Sequence, residues 1–353
     1  LSSGAYIMGQ PVKELEALLA DYVGSKHCIS CGNGTDALTI SLKTLGIGEG
    51  KAVFLPDFTF FATAEVVAME GAHPVFVDVD EKTFNISPQD LETKIKETIA
   101  DGKYTPAAII TVDLFGLPAD YPAIEEIACK YAIPIIEDGA QGFGGEIEGK
   151  RSCSFGTIGT TSFFPAKPLG CYGDGGAIFT DNEEFAHLAD SYRVHGKGSY
   201  KYDNVRIGLN SRLDTIQAAI LLVKLNAFKK YELEAVNKVA GWYNDRLCKI
   251  VETPFIPDGY KSSWAQYTIK LPTQSDRDEL QAKLRSSGIP SMVYYPIPMH
   301  KQSAFSGLHT SEEEICPVAT SLSQRVLSLP MHPYMTKEDV DFISSVIYGH
   351  IAD

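Results

Sequence analysis

No apolar run in this chain reaches the roughly 18 residues that a membrane-spanning helix needs. The opening residues, LSSGAY, offer neither a basic n-region nor an apolar core, so no signal peptide is expected. They also lack an initiator Met, and a helical pattern starts almost at once, so a short native segment is expected upstream. Positive charge is scarce: 31 Lys and Arg stand against 45 Asp and Glu, and the net charge of −14 disfavours nucleic acid as a partner. Local cations and helix starts can still take an anionic small molecule. No second C-x-x-C accompanies Cys28-Ile-Ser-Cys31, so that pair lacks half of a zinc site and reads as buried thiols. No His/Cys/carboxylate cluster along the sequence suggests a metal. Cysteines number seven, an odd count scattered over 353 residues, which predicts reduced thiols in a cytoplasm. Internal repeats, low-complexity tracts and Gly/Ser linkers are also missing.

What is present is the composition of a soluble globular protein, 44% apolar and 22% charged. The length exceeds one ordinary core and predicts two domains packed together. From Lys51 to Thr180, short apolar or β-branched runs alternate with amphipathic stretches. Strands are expected at Ala52–Leu55, Val75–Val79, Ala107–Val112, Ile133–Glu137, Thr160–Phe164 and Ala177–Thr180. Helices are expected at Ala62–Glu70, Pro88–Ile99, Tyr121–Tyr131, Glu183–Val194 and Arg212–Leu225. This alternation predicts an α/β fold with a mainly parallel central sheet in a large domain, residues 1–225. A connector helix and a smaller α+β domain, residues 226–353, are expected to follow. Its strands would be Ala265–Leu271 and Ser291–Tyr294, its helices Arg277–Ser287 and Lys337–Tyr348.

Four segments carry chemistry. In Ser30–Leu38 (SCGNGTDAL), Gly34 and Thr35 open a helix whose free N–H groups suit a phosphate, although any Gly-rich cap looks similar. In Ile133–Gln141 (IPIIEDGAQ), Asp138 ends an apolar strand, where a carboxylate can meet a cationic ligand group or simply cap the next helix. In Thr161–Ile178 (TSFFPAKPLGCYGDGGAI), Lys167 sits between an aromatic strand and a Gly-rich turn, either confined and partly desolvated or solvated in a loop. In Gly208–Ala219 (GLNSRLDTIQAA), Asn210 and Ser211 can cap a helix, or Asn210 and Arg212 can reach an anion. Taken in order, Gly-Thr, Asp-x-x-Gln, Ser-x-x-x-x-Lys and Asn-x-Arg form a set in which every element has a role in a pyridoxal-phosphate (PLP) enzyme.

On these residues, most specifically EDGAQ, SFFPAK with its GDGG tail and NSRLD, the chain resembles the DegT/StrS family of nucleotide-sugar aminotransferases, which have the type I PLP fold. The resemblance runs from Tyr6–Gly9 to Leu329–Pro333. It implies that Gly34, Thr35 and Ser162 hold the cofactor phosphate and that Phe60 stacks on the pyridine ring. Asp138 would pair with the ring nitrogen, with Gln141 on the cofactor's hydroxyl side. Lys167 would be the Schiff-base residue and proton shuttle. Asn210 would reach the phosphate of a neighbouring subunit's cofactor, which implies a homodimer with shared sites.

The runs Cys28–Cys31, Ser162–Ile178 and Tyr295–Pro298 further resemble the subgroup acting on UDP-2-acetamido-2-deoxy-3-oxo-glucuronate, in surface polysaccharide precursor biosynthesis with L-glutamate as amino donor. There Arg212 would meet the sugar carboxylate. Tyr294 departs from that subgroup's usual His, and Gly139 from its commoner Ala. Tyr294, Tyr295, His195 and His300 are candidate substrate contacts, whereas His73, His187 and His332 read as packing or capping residues. Alternatives are the same chemistry on a dTDP-3-oxo-sugar or a UDP- or GDP-4-oxo-6-deoxyhexose, or a non-catalytic PLP-binding regulator. Sugar dehydratases related to the family carry His in place of the Lys, so Lys167 speaks against that activity.

Overall fold

The structure, a computed structural model, describes residues 4–200, 202–307 and 315–352. Seven strands build the central sheet: β1 (His27–Cys31), β2 (Lys51–Pro56), β3 (His73–Val77), β4 (Thr105–Val112), β5 (Ile135–Asp138), β6 (Ile158–Ser162) and β7 (Gly176–Thr180). Their spatial order is β1-β7-β6-β5-β4-β2-β3. The run from β6 to β3 is parallel, while β7 is antiparallel to both of its neighbours. The reason is local. Between β6 and β7 the chain forms no helix, and without a crossover it returns beside the strand it has just left. Elsewhere helices make the connections, among them α2 (Gly34–Thr44), α3 (Ala62–Met69), α4 (Pro88–Asp101) and α5 (Tyr121–Tyr131). Before them comes α1 (Gln10–Val23), and α6 (Glu183–Tyr192) follows β7. β5, β6 and β7 are buried at every position, which is why their sequences show no polar alternation.

The strand β1, which the sequence reading did not foresee, is a short HCISC run with little apolar signal. It forms because β7 offers it a full antiparallel register, from His27 with Thr180 to Cys31 with Gly176. Beyond the sheet, α7 (Thr215–Ala227) continues through a π-helical turn into α8 (Leu233–Leu247). α7 starts three residues later than expected, and Asp214, not Asn210 or Ser211, is its N-cap. Ser211 is instead tied elsewhere, its hydroxyl accepting from the Gly32 N–H at 2.8 Å.

The C-terminal third contains β8 (Tyr267–Lys270), α9 (Gln274–Ser286), α10 (Pro317–Arg325), β9 (Val326–Leu329) and α11 (Lys337–Ala352). β8 pairs antiparallel with β9. The expected strand Ser291–Tyr294 is not formed; only Met292 bridges to Ser328, on the edge of β9 away from β8. Tyr243, Tyr267, Leu280, Leu284, Leu327 and Ile347 share one core there. Met299, Phe305, Ala319 and Leu322 pack instead against the large sheet's core. The buried Asp78 secures that contact by accepting from the Val318 and Ala319 N–H groups, at 3.0 and 2.9 Å, in the first turn of α10. This docking brings residues 294–300 to the carboxyl edge of the sheet.

Candidate active site

The site is assembled where β2, β4, β5 and β6 end. Asn33 caps α2, its side chain accepting from the Asp36 N–H at 2.8 Å. The N–H groups of Gly34 and Thr35, in the first turn, have no carbonyl partner within the helix and are available to an anion. A Cβ on Gly34 would lie only 2.8 Å from the Cβ of Ser162, the last residue of β6. Only glycine therefore lets the helix start come this close to Ser162, and the three residues form one anion cradle.

On the other side of β6, Asp138 closes β5 and is 6% exposed. Lys167 is half-buried in the turn after β6. Burial lowers the pKa of its amine, with the Asp138 charge opposing part of that shift. For Asp138 burial pushes the pKa upward, against hydrogen bonds from the Thr63 hydroxyl at 2.9 Å and the Ala140 N–H at 3.2 Å. Gln141 is fixed at both ends: its carbonyl accepts from the Phe115 N–H at 2.7 Å and its amide donates to the Tyr295 hydroxyl at 3.0 Å. The Tyr295 ring lies 6.3 Å from Phe58 and 6.1 Å from Phe60. Burial raises the pKa of its phenol, so it stays protonated. Phe60 is 54% exposed. Tyr294 packs against the large core beside Tyr295.

Other expected residues lie apart. Asn210 is exposed and accepts from the Arg212 guanidinium at 2.5 Å. Arg212 and the exposed His195 line an open groove of about 980 Å³ with Tyr202, Arg206 and Ile207. The ring of His300, expected to face substrate, turns inward: its Nδ1 is 2.6 Å from the Asp57 carboxylate, and its N–H donates to the same group at 2.7 Å. It anchors the 294–300 segment to the end of β2. Although no metal cluster was expected, folding brings ligand-type atoms of Asp57, His300 and Cys316 within 4.8 Å of one another. Burial pushes the Cys316 thiol upward, away from the thiolate a metal would need. The sequence reading also missed Thr59 and Thr63; their position just past the end of β2 was the one signal available.

The cradle, the buried carboxylate and the amine of lowered pKa suit a phosphorylated, cationic aldehyde. The sequence model of the DegT/DnrJ/EryC1/StrS aminotransferase family matches residues 1–347. The chain belongs to this family. Membership makes it a PLP-dependent aminotransferase of α/β fold. It is 48% identical to a Pseudomonas aeruginosa UDP-2-acetamido-2-deoxy-3-oxo-D-glucuronate aminotransferase, over 98% of this chain and 92% of that one. A Geobacillus stearothermophilus pleiotropic regulatory protein is 43% identical over 100% and 93%. An Acidithiobacillus ferrooxidans UDP-N-acetyl-3-dehydro-alpha-D-glucosamine 3-aminotransferase is 41% identical over 98% and 90%. Among solved structures, a family aminotransferase from Brucella abortus superposes with a TM-score of 0.96 at 50% identity, covering 100% of this chain and 93% of its own. Bacillus subtilis NtdA, solved with bound cofactor PMP, has a TM-score of 0.90 at 30% identity, covering 100% and 79%. The family's cofactor fits the residues present, with Gly34, Thr35 and Ser162 available for its phosphate and Asp138 and Lys167 for its ring. No helix among the described residues is long and apolar enough to cross a membrane.

Proposed function

We propose that this aminotransferase moves the amino group of an amino acid, L-glutamate, onto C3 of UDP-2-acetamido-2-deoxy-3-oxo-glucuronate, as a step in surface polysaccharide precursor biosynthesis. The observation that carries the substrate is the 48% identity, over nearly both whole chains, to the Pseudomonas aeruginosa enzyme of that name. Bound PLP supplies an electron sink for the carbon that loses its proton. The chain's own residues do the rest. Gly34, Thr35 and Ser162 would hold the phosphate, and Lys167 would hold the aldehyde carbon through its amine. Freed of that link, the Lys167 amine would be the group that moves the proton lost from the donor Cα. Asp138 would hold the proton on the ring nitrogen, Phe60 would cover the ring, and Gln141, braced by Tyr295, would lie beside the ring hydroxyl. Tyr294 and Tyr295 would line the approach, with His300 anchoring that wall from behind, while Arg212 and His195, in a separate groove of the same chain, would reach the sugar carboxylate across a dimer interface.

The working unit on this reading is a cytoplasmic homodimer, in which the exposed Asn210 reaches the partner's cofactor phosphate. Lys167→Ala should abolish turnover and the visible absorbance of the covalently held cofactor; retained turnover would sink the assignment. Initial rates on a panel of UDP-3-oxo-glucuronate, dTDP-3-oxo-sugars and UDP- or GDP-4-oxo-6-deoxyhexoses decide the sugar, and faster reaction of either other class displaces the glucuronate. The Geobacillus relative's name favours a second reading, a regulator that binds PLP without turnover. Mixing the holoenzyme with glutamate alone separates the two: an aminotransferase converts its cofactor spectrum, whereas a regulator leaves it unchanged.

A further inference from the structure

We propose that Thr59 and Thr63 form a one-way hydroxyl relay that aims and holds the Asp138 carboxylate for the cofactor's ring nitrogen, with both threonines as positioning residues. The inference rests on the reading that Asp138 meets that nitrogen. The Thr63 hydroxyl lies 2.9 Å from the Asp138 Oδ2 and 3.1 Å from the Thr59 hydroxyl. Either threonine could donate to the other on distance alone, but the carboxylate decides the direction. An ionised carboxylate only accepts, and a hydroxyl has one proton to give. Thr63 therefore donates to Asp138, and Thr59 donates to Thr63.

Both threonines are 1% exposed, so water does not compete for these bonds. In such surroundings each bond polarises the next, and the outer hydroxyl strengthens the inner one. The second carboxylate oxygen takes the Ala140 N–H at 3.2 Å. With both oxygens engaged from the protein side, the carboxyl plane is set before any ligand arrives. Thr63 stands in the first turn of α3 and Thr59 four residues earlier, so the loop leaving β2 places both hydroxyls in line with the end of β5. β2 and β5 are separated by β4 in the sheet, and the relay bridges that gap.

The test measures PLP affinity on the full-length apoprotein and the pH profile of bound-cofactor absorbance on the holoprotein. Thr63→Val should weaken PLP binding about tenfold, the usual effect of losing a hydrogen bond to a charged group, and should move the pH profile. Thr63→Ser keeps the hydroxyl and should restore both to within about twofold. Thr59→Val should weaken binding about threefold through the lost polarisation. Added to Thr63→Val, it should do nothing more, because Thr59 acts only through Thr63. Additive losses in the double variant overturn the relay, as does a Thr63→Val protein with parental affinity and pH profile whose melting temperature alone falls. If the parent chain binds no PLP, the reading of the cofactor site falls together with the relay; failure of the variants alone leaves that reading standing.

Discussion

Asp113 and Glu137 are two carboxyl groups without any exposure, placed side by side beneath Asp138. Glu137 accepts from the Phe155 and Gly156 N–H groups at 2.7 and 3.2 Å and from that of Cys153. Asp113 accepts from the Ala119 N–H at 3.1 Å and the Tyr121 hydroxyl at 2.8 Å, and its own N–H donates to the Asp138 carbonyl at 3.1 Å. Burial pushes Glu137 well above the usual carboxylate range, with the Asp113 charge adding to the rise, and burial pushes Asp113 to about 6 against the hydrogen bonds it accepts. The folded protein thus keeps a proton on Asp113 that the unfolded chain releases at about pH 4. The stability linked to this proton is fully present below that range and is lost as pH rises through about 6. Asp113→Asn removes this titration. Its melting temperature should change less between pH 5 and pH 7.5 than the parent's; an unchanged slope would show that Asp113 does not titrate in that range. A sequence reading sees Asp113 and Glu137 as two strand-end acids 24 positions apart and cannot see that they meet. Lys167 was visible, but its lowered pKa depends on burial that only packing creates.

Individual elements were more legible than their contacts. The expected strands Ala52–Leu55, Ala107–Val112 and Ala177–Thr180 fall within β2, β4 and β7, because buried strands are written as apolar runs. Val75–Val79 and Thr160–Phe164 were set two residues late, since hydrophobicity continues into the turn past each strand end. The same blind spot covers Gly34. From sequence it permits a turn; in the fold it lets α2 begin against β6. Gly34→Ala brings a Cβ to 2.8 Å from Ser162, and the start of α2 must move. PLP affinity should then fall about tenfold or more, and overpacking should cost about 1–3 kcal/mol of stability. Equilibrium dialysis of PLP against the apoprotein reads the first effect, and a variant that binds normally would place the phosphate elsewhere.

For the whole molecule, the decisive surface is the one that carries Asn210, Arg212 and His195. Tyr200, Tyr202, Val205 and Ile207 nearby are each more than half exposed, with Ile207 at 87%. A run of exposed large apolar residues like this suits a protein partner, and the proposed homodimer would cover it. If Asn210 serves the partner's site, inactive Lys167→Ala and Asn210→Ala chains should rescue each other. In a mixed dimer both defects fall on one site and the other is intact. Unfolding and remixing equal amounts should therefore restore about a quarter of parental activity. No recovery, in dimers shown to have exchanged, would put Asn210 in its own subunit's site or in none.

The sequence by itself determined the class of fold and most strands of the large sheet, and it marked Lys167, Asp138, Gly34 and Thr35 as candidates for the chemistry. Those features are local: apolar runs, small-residue turns and motif spacings that a linear chain displays in full. The tertiary structure decided the antiparallel turn of β7, the formation of β1 and the pairing of β8 with β9. It also turned His300 toward Asp57 rather than toward substrate, and set Thr59 and Thr63 behind Asp138. Each of these joins residues distant in sequence or depends on which edge a neighbour has already filled. Contact across a sheet, burial and the charge states they impose exist only once the chain has folded.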